Sequence, residues 1–77
     1  MKNPSAIDLE SFIKFDSTES DKSFFIRKAL IYRIDRFENT VRLEGVVGHT
    51  LVQLLKAEFK DPTSASAFAK TVADLIK

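Results

Sequence analysis

The chain has no cysteine, one histidine, two glycines and two prolines in 77 residues. Each scarcity excludes something. Without cysteine, no disulfide can reinforce a small core, and no thiolate can serve as nucleophile or zinc ligand. His49 alone cannot supply the several imidazoles of a structural zinc site. So little glycine and proline fits neither a linker nor a disordered tail. No apolar run approaches the roughly 20 residues of a membrane helix. Met1 to Ser5 carry one basic residue and no apolar stretch follows, which does not fit a secretory signal. These absences lead us to expect a cytoplasmic protein.

What is present is ordinary globular composition, with 44% apolar and 30% charged residues. The length implies one small domain over residues 1–77. A domain of this size buries only about 60% of the surface its unfolded chain exposes. With disulfides and zinc excluded, a homodimer or a protein partner is the expected supplement to a thin core. The net charge of +1 is unevenly spread: residues 1–21 sum to −3, residues 22–44 to +3 and residues 45–77 to +1. All four arginines lie between Arg27 and Arg42. Such segregation marks a binding face, or two halves that neutralise each other in the fold.

No internal repeat at a useful period and no low-complexity tract stands out. Three breaks do: the polar run Asp16 to Asp21, the Gly45 to Gly48 segment, and Lys60 to Ser64, where Pro62 disfavours helical geometry at Asp61. Near the C-terminus, Thr50 as cap with Leu51, Val52, Leu54, Leu55 and Phe59 predicts a helix over about 51–60. Ser64 as cap with Ala65, Phe68, Ala69, Val72, Ala73 and Ile76 predicts a second over about 65–76, the two forming a helical hairpin. At the N-terminus, Asn3 as cap, Pro4 and the face Ala6, Leu9, Phe12, Ile13 favour a helix passing into extended chain near Phe15.

Residues 23–47 decide the fold. As a β-hairpin, with a two-residue turn at Glu38-Asn39, they pair Arg33 with Glu44, Asp35 with Arg42 and Ile34 with Leu43. Asn39 suits a left-handed turn position and Glu38 does not. As one helix over about 22–44, Ile26, Leu30, Ile34, Phe37 and Val41 form a stripe that Gly45 would cap. Aromatic and β-branched residues favour the hairpin. The expected fold class is therefore α+β: a hairpin at about 24–47 covered by the C-terminal helical hairpin, with an all-α chain as the alternative.

No catalytic, cofactor-binding or metal-binding set emerges. His49, beside Gly48 and Thr50, reads as an exposed or capping residue rather than a base or pH switch. Val46 to Thr50 lack the glycine density and lysine of a nucleotide loop. Acids such as Asp8 with Glu10, and Asp35 with Glu38, read as solvated faces. Ser17, Thr18 and Ser20 read as an exposed loop rather than phosphorylation sites. The arginine-rich segment carries the one site-like signal: Tyr32, Arg33, Arg36, Phe37 and Arg42 are the partner-binding candidates. Arginine forks with aromatic rings also suit nucleic acid, which makes a small dimeric nucleic-acid-binding regulator the alternative function. Local acids halve that segment's surplus, so a non-enzymatic protein-interaction module is the expected function.

Ser23-Phe24-Phe25-Ile26-Arg27-Lys28-Ala29-Leu30 resembles the second helix of ribbon–helix–helix repressors. The resemblance covers eight residues and implies a helix there. That family's upstream strand and full helix have no counterpart before the polar run at residues 16–21, so no family is assigned.

Overall fold

Period-two alternation of apolar and polar residues governs most of this chain. A computed structural model describes residues 4–16 and 23–76, and among them six strands precede one helix. Strands β1 (Ser5–Leu9), β2 (Phe12–Asp16) and β3 (Ser23–Arg27) form one antiparallel sheet in the order β1-β2-β3. After a 3-10 turn at Lys28–Leu30, β4 (Arg33–Phe37), β5 (Thr40–Val47) and β6 (Thr50–Glu58) form a second, in the order β4-β5-β6. Helix α1 (Pro62–Leu75) closes the fold. The α+β class holds, and no long central helix forms.

The predicted register of the central hairpin is the observed one. Arg33 lies opposite Glu44, Ile34 opposite Leu43 and Asp35 opposite Arg42, around the turn Glu38-Asn39. The hairpin itself begins at Arg33, because residues 24–27 belong to β3 of the first sheet. The turn chemistry is the reverse of expectation: Glu38 is the left-handed residue, at φ 56°. Asn39 acts as a latch instead. Its Nδ2 donates to the Phe59 carbonyl at 2.7 Å, and its own carbonyl accepts from the Phe59 N–H at 2.8 Å.

Three expected helices are strands. Residues 51–60 form most of β6, and their helix-like spacing comes from a bulge. Leu43 pairs with Leu55 but Glu44 pairs with Gln53, so Leu54 is inserted and the alternation changes phase. Residues 6–15 form β1 and β2, whose two-residue turn at Glu10-Ser11 separates Leu9 from Phe12. Both faces of this sheet bear apolar side chains, which imitates a helical stripe. Ser23–Arg27, likened to a repressor helix, is a strand. The expected cap Asn3 and the loop residues 17–21 lie outside the described residues.

The helix that does form starts earlier than predicted. Asp61, not Ser64, is its cap: the Asp61 carboxylate accepts from the Ser64 N–H at 2.7 Å, with Pro62 opening the first turn. Ala65, Phe68 and Val72 are buried on one face. They join Ile13 and Phe15 of the first sheet and Val41, Leu43 and Ala57 of the second in one core. The Phe68 ring lies 6.1 Å from that of Phe15 and 5.0 Å from that of Phe59, so one helical residue bridges the first sheet and the residue that follows β6.

The two sheets repeat each other, contrary to the sequence reading. Strands β1 and β4 start 28 residues apart, at Ser5 and Arg33, and so do β2 and β5, at Phe12 and Thr40. The pairing Ser5 with Asp16 recurs as Arg33 with Glu44, and Leu9 with Phe12 as Phe37 with Thr40. Each first hairpin turns on a left-handed glutamate, Glu10 at φ 63° and Glu38 at φ 56°. The bond from the Lys28 N–H to the Ser11 carbonyl is matched by that from the Phe59 N–H to the Asn39 carbonyl. The buried positions share apolar character, Ile13 and Phe15 matching Val41 and Leu43, and Glu10 and Glu38 are the one identical pair between the two hairpins. A repeat of backbone and core alone leaves little identity in the sequence.

Candidate functional site

With the inward-facing residues of both sheets in one core, the outward-facing positions are the surfaces the fold offers. In the second sheet these are, row by row across β4, β5 and β6, Arg33-Glu44-Gln53, Asp35-Arg42-Lys56 and Phe37-Thr40-Glu58. The centre of this face is polar and largely self-neutralised, whereas Phe37 at one end is 66% exposed, and Val46 and Leu51, opposite each other at the other end, are 41% and 43% exposed. The Arg33 Nε lies 3.3 Å from Glu44, its Nη2 3.5 Å from Asp35, and the Lys56 ammonium 3.8 Å from Glu58. Pairs this exposed contribute about 0–1 kcal/mol each and are weakened by salt.

The structure divides the five expected partner-binding residues. Arg33, Phe37 and Arg42 share this outer face. Arg36 points to the opposite side of β4, and its Nη1 donates to the Glu38 carbonyl at 2.8 Å. Tyr32 precedes the strand and is 72% exposed, its N–H held by the Glu44 carbonyl at 2.8 Å. The arginines therefore do not converge: Arg33 serves its own sheet and Arg36 its own turn. His49 is an exposed residue of the β5–β6 turn, and Val46 to Thr50 form that hairpin's tip rather than a helix entrance.

The first sheet presents a different surface. Its outer rows across β1, β2 and β3 are Ser5-Asp16-Ser23, Ile7-Lys14-Phe25 and Leu9-Phe12-Arg27. Four apolar side chains, Ile7, Leu9, Phe12 and Phe25, are therefore neighbours on the solvent side. Phe25 is 60% exposed, Ile7 45% and Leu9 44%. Two cations are set among them. Arg27 lies 4.9 Å above the centre of the Phe12 ring, and the Lys14 ammonium is 3.7 Å from Asp16. Isolated exposed apolar residues are ordinary, whereas a contiguous group on one sheet face makes this the candidate surface.

Sequence reasoning missed this face because it followed charge. The available signal was the doubled apolar pattern of residues 6–15, where Leu9 and Phe12 are apolar on the side facing away from Ile13. The first sheet's inner side has a polar fixture of its own. The Lys28 ammonium donates to Asp8 at 2.6 Å. That hydrogen bond, with the Lys28 charge and a bond from the Glu10 backbone, holds the exposed Asp8 carboxyl below its usual 3.8 despite partial desolvation. Among the described residues no three His, Cys, Asp or Glu side chains gather as a metal site, and no helix is long and apolar enough to cross a membrane. No protein-family profile, curated protein or solved structure matches the chain.

Proposed function

We propose that this chain is a non-enzymatic interaction module that works bound to a protein, either a second copy of itself or another chain, in the cytoplasm. The observation that carries the reading is the outer face of the first sheet. There Ile7, Leu9, Phe12 and Phe25 face solvent, while the corresponding positions of the second sheet hold Asp35, Phe37, Thr40 and Lys56. A fold that places Asp35, Thr40 and Lys56 at three of those positions in one sheet has no structural need for Ile7, Phe12 and Phe25 in the other; only Leu9 has an apolar counterpart, Phe37. Arginine and aromatic side chains at the centre of such a patch are the usual anchors of protein recognition.

The nucleic-acid reading gains less support. Base stacking needs open ring faces and phosphate binding needs free cations. Here Arg27 covers the Phe12 ring, Arg33 is held by two acids, and Arg36 and Arg42 lie on opposite faces of the second sheet. Titration with single-stranded and duplex DNA at low salt separates the two. Absence of binding fits a protein-interaction module, and salt-sensitive binding lost in an Arg33→Ala, Arg36→Ala, Arg42→Ala variant would replace it with the regulator. Within the protein-binding reading, a Leu9→Lys variant should fold yet lose association, and unaltered association would move the contact surface elsewhere.

A further inference from the structure

Three of the four strand edges carry protection against pairing with another chain. An exposed edge strand invites such pairing unless charges, bulges or a covering element blunt it. Strand β4 has Arg33, Asp35 and Arg36 along five residues. Strand β6 has Lys56, Glu58 and the bulge at Leu54. Strand β1 has the inward-side charge Asp8 and packs against α1. Strand β3, Ser23-Phe24-Phe25-Ile26-Arg27, has neither bulge nor proline, and its one charge is at its end. Among the described residues nothing pairs with its outer edge, and Phe24 and Phe25 are 46% and 60% exposed.

We propose that the occupant of this edge is β3 of a second copy of the chain, joined antiparallel about a two-fold axis at Phe25. This rests on the reading of the chain as an interaction module and names its partner. The register uses all five residues of the strand. Phe25 faces Phe25 of the second copy on the outer side, and Phe24 faces Ile26 of the second copy on the inner side, twice by symmetry.

Charge complementarity selects the second copy over a foreign strand. In that register Ser23 lies opposite Arg27 of the second copy, and Asp16 is the next residue beyond Ser23 on the same face. Strands spaced by about 4.8 Å put the Asp16 and Arg27 backbones about 10 Å apart, within reach of an arginine passing over a serine. Asp16 already accepts from the Ser23 hydroxyl at 2.6 Å, which holds its carboxylate toward the edge. The dimer thus exchanges each Arg27–Phe12 stacking contact for an Arg27–Asp16 contact, twice by symmetry, and joins two apolar outer faces into one six-stranded surface. With five residues a side the contact belongs to the small, weak class of interfaces, so it is concentration-dependent.

Sedimentation velocity of the full chain from about 1 µM to 1 mM covers that affinity class. A monomer–dimer equilibrium is expected, with slowed amide exchange at residues 23–27 as concentration rises. Phe25→Lys, which sets like charges across the axis, should weaken the dimer at least tenfold. Asp16→Arg and Arg27→Asp should each weaken it similarly, and the double variant should recover most of the loss. Circular dichroism confirms that each variant is folded. A monomer at every concentration overturns the proposal. So does a dimer indifferent to Phe25→Lys, or a charge swap without recovery. These results leave the broader reading intact, since that reading is overturned by salt-sensitive nucleic-acid binding and not by the state of this edge.

Discussion

The two sheets share a backbone plan, a buried pattern and a left-handed glutamate turn, yet their solvent sides differ where Ile7, Phe12 and Phe25 of the first are matched by Asp35, Thr40 and Lys56 of the second. At the position where the first sheet has Ile7-Lys14-Phe25 the second has Asp35-Arg42-Lys56, and where the first has Leu9-Phe12-Arg27 the second has Phe37-Thr40-Glu58. The inward residues answer to one core and must be apolar in both. The outward residues answer only to what lies outside. A difference confined to the outward positions is what the proposed contact of the first sheet with another chain would produce.

If the two sheets contribute to one core, matched truncations should hurt alike. Leu43→Ala should cost about 2–5 kcal/mol and Phe15→Ala about 3–5 kcal/mol in urea unfolding, each with one cooperative transition. Two transitions, or a loss confined to one sheet, would break the shared core. The next effect belongs to the second sheet alone. A Cβ at Gly45 would lie 2.5 Å from the Leu30 carbonyl and 2.9 Å from Leu54, where the crossing chain passes over β5. Gly45→Ala should cost about 1–3 kcal/mol by overpacking. Gly48 has open space and a φ of 65°, so Gly48→Ala should cost only about 1 kcal/mol, through backbone strain.

The hairpin turns offer a finer comparison. Asn39 and Ser11 occupy equivalent places and both carbonyls accept a backbone N–H, but only the Asn39 side chain reaches across, to Phe59. Asn39→Ala should cost about 0.5–1.5 kcal/mol and Ser11→Ala no more than about 0.5 kcal/mol, measured by thermal unfolding. Equal losses would assign the effect to the turn rather than to the latch.

How much of this was legible in the sequence follows from where each signal lay. The β4–β5 register could be read because opposite charges alternate across it, Arg33 with Glu44 and Asp35 with Arg42. Strand β6 was misread because the inserted Leu54 turns a period of two into something resembling 3.6. Strands β1 and β2 were misread because Leu9 and Phe12 are apolar on the side where solvent-facing residues are ordinarily polar. The feature that obscured the fold is the feature that marks the candidate surface. The arginines drew attention because charge clusters are visible in one dimension, whereas their separation onto two faces of β4 appears only in three. The internal repeat was hidden because a shared core needs apolar character rather than identical residues.

The smallest effect concerns pH. Asp8 is held below its usual value by Lys28, so the folded state keeps its carboxylate charged at pH values where the unfolded state takes up a proton. The contribution is present above the unfolded value and is lost as pH falls through the lowered folded one. Thermal midpoints of the native chain should therefore drop more between neutral pH and about pH 3 than those of Asp8→Asn. Parallel curves would remove Asp8 from the account.

The central claim is that the apolar outer face of the first sheet exists for contact and not for folding. Giving that face the second sheet's own residues, Ile7→Asp with Phe25→Lys, tests it directly when urea unfolding and sedimentation velocity are run on the same sample. The account predicts an unfolding free energy within about 1 kcal/mol of the native chain and association lost. An unfolded variant would show that the face is structural, and undiminished association would show that the contacts lie elsewhere; either result contradicts the claim.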